Sequence, residues 1–256
     1  MAIGALAGLM AGLLGIGGGL IIVPALAWWF PRQGVAEADA LHAAVAASLA
    51  SIVLTAIASA TAHYRRGAVD LRALAWLTPG LLLGGSGGAL VVSQVSRGAL
   101  TLFVAAFCVF AAWQVSRPRQ ESAAAALIPR GWLVPGGVVI GTVSAAVGIG
   151  GGSLTVPLLN RLGAPLRTAI ATSAAAGLPI ALASVFGYAF AITPAGLSKW
   201  TIGLIDFAPA FALGSMSILT APLGASLAHR WPVGRLKIVF AAWLLLVAGL
   251  LLVGRG

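Results

Sequence analysis

The groups with the most chemical potential in this chain are backbone groups. Gly15-Ile16-Gly17-Gly18-Gly19 runs into Val23-Pro24, and Gly148-Ile149-Gly150-Gly151-Gly152 runs into Val156-Pro157. Glycines inside a helix cost about 0.8–1 kcal/mol each relative to alanine, and the proline that follows withholds a backbone donor. A helix restarting at Gly18 or Gly19 points free N–H groups and the positive end of its dipole away from its first turn. Glycine lets an anion approach that backbone closely. The chemistry on offer is binding of a small anion. The other reading of the glycines is close packing of helices through small residues.

Hydroxyls extend both sites. Ser48 aligns with Ser173 and Ala47 with Thr172, each early in its helix. Such hydroxyls can donate to an oxyanion or bond back to the carbonyl one turn earlier, and both readings stay open. Ser153 and Thr155 follow the second break where the first has Leu20 and Ile22, so the second half-site is the more polar. The expected substrate-contacting set is Gly15, Gly17, Gly18, Gly19 and Ser48 in one half. In the other it is Gly148, Gly150, Gly151, Gly152, Ser153, Thr172 and Ser173. His42 aligns with Arg167 at the entry to the next helix, where a cation draws anions in or snorkels to headgroups.

Asp206 invites a proton-relay role, as intramembrane acids do. Asp70 holds the equivalent place, and each follows Gly-x-(Val/Ile) ahead of an apolar segment, which predicts helix N-caps. A proton stays a candidate coupling ion. The three histidines lack metal-site spacing, Cys108 is the only cysteine, and there is no G-x-S-x-G, Walker A loop or carboxylate pair. No metal, no cofactor and no enzymatic activity are expected.

The elements that must position these groups are membrane segments. The 256 residues are 60% hydrophobic and 8% charged, with mean hydropathy +1.05, and a soluble domain carries roughly 25% charged residues. A bilayer removes the need for a polar surface. The formal charge of +10 is spread over short loops, which fits anionic lipid and excludes a nucleic-acid patch. Apolar segments lie at 3–30, 41–62, 73–93, 99–116, 132–159, 169–192, 204–228 and 238–254, those at 99–116 and 238–254 being short for a span. No cleavable signal peptide is expected. Trp28-Trp29, Trp76, Trp113, Trp132, Trp200 and Trp231 lie near segment ends, as interface anchors do.

The chain repeats itself. The glycine motif recurs at an offset of 133, Ala46-Ala47-Ser48 matches Ala171-Thr172-Ser173 at 125, and Gly67 to Leu71 matches Gly203 to Phe207 at 136. This divides the chain into an N-terminal repeat (1–118), a connecting loop (119–131) and a C-terminal repeat (132–256). If all eight segments cross, loop bases divide eight to seven. If the two broken segments re-enter, eleven fall in 63–72, 117–131, 160–168 and 229–237, against Arg32, Arg97, Lys199 and Arg255. Cytoplasmic loops concentrate Lys and Arg. The expected fold is therefore an all-α polytopic membrane protein of two inverted repeats. Each holds a Gly-broken, re-entrant segment plus about three transmembrane helices, with both termini on the non-cytoplasmic side of the inner membrane.

These residues resemble the sulfite exporter TauE/SafE family. The likeness is carried by Gly12 to Pro24, its copy from Ser144 to Pro157, Ala171-Thr172-Ser173, and the stretch from Gly203 to Arg235 with Ala221-Pro222-Leu223-Gly224-Ala225 and Leu227-Ala228-His229-Arg230. Ala47 departs from the threonine usual before Ser48. The resemblance implies a secondary transporter of small anions, often sulfite or organosulfonates, working by alternating access. The residues themselves point to a small anion, and a homodimer is a candidate assembly. The alternatives are an anion channel, or a membrane-embedded enzyme or assembly subunit.

Overall fold

The computed structural model describes residues 2–14, 18–116, 130–228 and 233–253. The expected positions Gly15 and Gly17 and most of the connecting loop lie outside them. The described helices are α1 (Ala2–Leu14), α2 (Gly19–Trp29), α3 (Glu37–Arg65), α4 (Leu71–Val92), α5 (Arg97–Ser116), α6 (Leu133–Val147), α7 (Gly152–Arg161), α8 (Leu166–Ala189), α9 (Phe207–Ala228) and α10 (Val233–Val253). One small antiparallel pair, β1 (Thr201–Ile202) with β2 (Ile205–Asp206), precedes α9.

Among the described residues, α3, α4, α5 and α8 are long and apolar enough to cross a membrane. α9 and α10 have 22 and 21 residues. The segments expected to be short lengthen because α5 takes in Arg97 and Gly98, and α10 starts at Val233. α6 and α7, with 15 and 10 residues, reach only about 22 and 15 Å, short of the roughly 30 Å of hydrocarbon.

α3 is the central helix. Every residue from Ala40 to Ile52 is buried, and α2, α8 and α9 pack around it. Alanine dominates that stretch, so neighbouring backbones come close, as small residues allow between membrane helices.

Glycines set the other contacts. Gly80, Gly84 and Gly88 of α4 face Gly137, Val138 and Thr142 of α6 in rising order, so the two helices run side by side in the same direction. Packing is thus the role of the Gly84-Gly85 and Gly87-Gly88 region, apart from Gly87, which meets nothing. Gly4 and Gly8 of α1 face Leu213 and Ser217 of α9 in the same sense, and Ser217 Oγ donates to the Gly4 carbonyl (2.9 Å). α6 and α7 fold against each other, with Gly136 facing Leu158 and Gly151 facing Ile140.

Both acids expected at helix starts cap. Asp70 Oδ1 accepts from the Arg72 and Ala73 N–H groups (3.0 and 2.9 Å). Asp206 Oδ1 accepts from Ala208 N–H (3.1 Å) and from Ser198 Oγ (2.6 Å). Cys108 is buried and packs, while Trp28, Trp76, Trp113, Trp132 and Trp200 are exposed.

Candidate functional site

The second break is fully described. α6 stops at Gly148, whose φ of +76° is left-handed backbone that a side chain would strain. The N–H groups of Gly148 and Ile149 both bond to the Ser144 carbonyl (2.9 and 3.1 Å). Gly151, at φ +75°, then opens α7. Leu154 and Thr155 N–H close its first turn on the Gly151 carbonyl (3.1 and 2.8 Å). The N–H groups of Gly152 and Ser153 find no acceptor among the described residues, as the orphan donors of a helix start require. Gly151 and Gly152 are buried and Gly150 is half-buried.

At the first break α2 restarts at Gly19 with Gly18 as its N-cap residue. Ile21 and Ile22 N–H bond to the Gly18 carbonyl (3.0 and 3.1 Å). The two breaks touch. A Cβ on Gly19 would overlap the Gly148 carbonyl oxygen. Ser48 Oγ, from α3, donates to that same oxygen (2.9 Å).

The aligned hydroxyls have different partners. Ser48 is spent on Gly148. Ser173 is buried with no partner, and Thr172 Oγ1 accepts from the Asp70 backbone N–H (2.9 Å). Ser153 and Thr155 are buried and also unpartnered. His42 is buried and its Nε2 donates to the Val95 carbonyl (3.1 Å), whereas Arg167 is exposed on the first turn of α8. The sequence match aligns these two basic side chains, but their surroundings differ. His42 lines a cavity of about 690 Å³ with Asp39, Gln94 and Arg97, at the N-terminal end of α3.

Sequence reasoning passed over Ser144 and Ser184, which are buried hydroxyls without partners. It also passed over Tyr188, whose hydroxyl donates to the Ala145 carbonyl (3.0 Å) and ties α8 to the end of α6. A tyrosine inside an apolar helix was the available signal for the last, since a buried phenol seeks a partner. The serines had none, because their burial depends on the facing helix.

Among the described residues no group of His, Cys, Asp and Glu is placed to hold a metal ion. The four apolar helices long enough to cross a bilayer are those of an integral membrane protein. The family model described as sulfite exporter TauE/SafE matches residues 1–251, and the chain belongs to that family. It is 34% identical over 251 residues to a "Probable membrane transporter protein" of Haemophilus influenzae, covering 96% of this chain and 94% of the relative. It is 25% identical over 247 residues to a "Probable membrane transporter protein" of Methanocaldococcus jannaschii, covering 94% and 89%. No solved structure matches it. The chain is a membrane transporter and not an enzyme.

Proposed function

We propose that this transporter moves small oxyanions, of the sulfite or organosulfonate type, by alternating access between two inverted halves. The observation that carries the reading is the contact of the two breaks. Gly19 abuts the Gly148 carbonyl while the orphan N–H groups of Gly152 and Ser153 lie inside the protein. Irregular backbone at membrane depth is tolerated where it is buried in protein or lines a cavity. Paired broken helices meeting near the midplane suit substrate binding in inverted-repeat carriers.

The topology follows from three supports. The bond from Asp70 to Thr172 brings the start of α8 to the turn between α3 and α4. α6 and α7 are each too short to cross, and they pack back to back. Eleven of the fifteen bases then share one face, which is the cytoplasmic one by the positive-inside rule. Each half thus enters with a hairpin from its own side of the inner membrane, and both termini lie outside.

The test is flux of radiolabelled sulfite in proteoliposomes. Saturable uptake with counterflow is expected for a carrier, while unsaturable flux without counterflow indicates a pore. Gly150→Val is the site test. The position for its Cβ meets only Ile52 Cγ2 at 3.4 Å, so the variant folds but fills the approach to the α7 donors. Undiminished flux in this variant would remove the break from the substrate path.

A further inference from the structure

We infer that transport is coupled to one proton, and that this proton binds His42 Nδ1, in the cavity at the N-terminal end of α3, as the anion enters. This rests on the oxyanion-carrier reading above and adds its coupling ion.

Buried titratable side chains are few. Among the described residues they are His42, Cys108, Tyr188 and Asp206. Tyr188 is bonded to the Ala145 carbonyl, Asp206 accepts from Ser198 and Ala208, and Cys108 sits in the apolar core. Of the four, His42 alone lines the cavity of about 690 Å³, which has room for water and a small anion. The ring of His42 is fixed. The Val95 carbonyl can only accept, so Nε2 carries a hydrogen (3.1 Å) and Nδ1 is the atom that gains or loses a proton.

The surrounding charges decide what that proton does. Arg97 pairs with Glu37 (3.0 Å), and the two charges cancel. Asp39 remains, half-buried on the cavity wall. It lies three residues before His42 on α3, a spacing that puts the two Cβ atoms about 5–6 Å apart. The cavity side chains from the ends of α4 and α8, and Leu204, are uncharged. Arg32, Lys199, Tyr188 and Asp206 do not line the cavity. α2, α6 and α9 carry no titratable side chain, and Arg167 lies at the other end of α8.

With His42 neutral, Asp39 repels an entering anion. With Nδ1 protonated, the Asp39–His42 pair is neutral and Nδ1–H becomes a donor. Uptake forms one N–H bond at the expense of an external hydronium and leaves water, and release on the inner side reverses the step. The charge gained at His42 cancels that of a monoanion, so the two cross without net charge. Ser48, which bonds to Gly148 where the breaks meet, lies six residues further along α3, about 9 Å.

The test uses the full chain in proteoliposomes with radiolabelled methanesulfonate, whose own charge stays fixed near neutral pH. One proton per monoanion predicts about tenfold accumulation per unit of pH gradient, acid outside. Adding the anion without a gradient should acidify a trapped pH dye. His42→Gln keeps a donor for Val95 but takes up no proton, so counterflow should fall roughly tenfold. Adding Asp39→Asn to it removes the repulsion and should restore counterflow, with accumulation and dye response absent. Asp39→Asn alone should exchange the anion with fewer than one proton each, and it decides the matter where His42→Gln does not fold. Native counterflow that ignores the gradient overturns the proton coupling and leaves the carrier reading standing. Native accumulation in His42→Gln overturns the assignment to His42. Native coupling in Asp39→Asn, or no restoration in the double variant, overturns the charge argument. No methanesulfonate counterflow in the native protein overturns the organosulfonate-carrier reading and this inference together.

Discussion

The two glycine motifs match in sequence but differ in what surrounds them. The first ends in a leucine- and isoleucine-lined helix start, and its serine, Ser48, is locked onto the Gly148 carbonyl. The second keeps Ser153, Thr155 and Ser173 buried and unpartnered. Among the described residues, the first break is apolar and tied to the second through Ser48, and the second holds unpartnered hydroxyls. The two helix starts differ in backbone as well: Gly18 precedes α2 in right-handed conformation (φ −74°), whereas Gly151 precedes α7 in the left-handed one (φ +75°).

The largest effect should come from the contact between the breaks. Gly148→Ala combines left-handed backbone with a Cβ 2.6 Å from Val23 Cγ2, and strain plus overpacking predict a loss of about 3 kcal/mol or more. Thermal unfolding in detergent checks this. Gly150→Ala, whose Cβ would meet only Ile52 Cγ2 at 3.4 Å, should melt like the native protein. If both variants melt alike, the contact is not what holds the breaks together.

Next comes the serine pair. Ser48→Ala leaves a buried carbonyl without its donor and should cost about 1–3 kcal/mol. Ser173→Ala removes an orphan hydroxyl and should leave the melting temperature unchanged or slightly higher. Equal destabilisation by the two would erase the difference between the half-sites.

The caps differ more gently. Asp206 is buried and accepts from Ser198 and Ala208, whereas Asp70 is exposed and accepts only from backbone. Replacing a capping aspartate by alanine costs about 0.5–2 kcal/mol, and Asp206→Ala should sit at the upper end with Asp70→Ala at the lower. Asp206→Asn should still transport, and loss of flux in a stable Asp206→Asn protein would restore the proton-relay role.

The smallest effect belongs to Thr172→Val. It deprives the Asp70 N–H of its acceptor, for less than about 1 kcal/mol because water reaches that exposed turn. Faster amide exchange at Asp70 is the expected sign, and Ala47, its counterpart, has no such bond to lose.

What could be seen in advance was local. Gly-x-(Val/Ile)-Asp marked both caps because an N-cap bond closes within three residues. The second glycine run falls in the gap between α6 and α7, because several helix-breaking residues together overrule propensity. The partners of Ser48 and Ser173 could not be read that way. They occupy matching positions, but Ser48 meets a carbonyl 100 residues away, and which backbone group faces it depends on how the halves dock. The same holds for His42 and Arg167, aligned in the repeat and opposite in burial. The positions Gly15 and Gly17, expected to complete the first site, lie outside the described residues.

The pairing of α1 with α9 has a consequence for how the protein is made. Gly4 and Ser217, bonded in the finished fold, are 213 residues apart. Chains emerge from the ribosome N-terminus first, so α1 is synthesised long before its partner helix α9 exists. With 13 residues, α1 reaches only about 20 Å, too short to cross the bilayer by itself. A nascent chain halted before residue 207 should therefore remain with its insertion machinery, and the first helix finds its place only once α9 has been made.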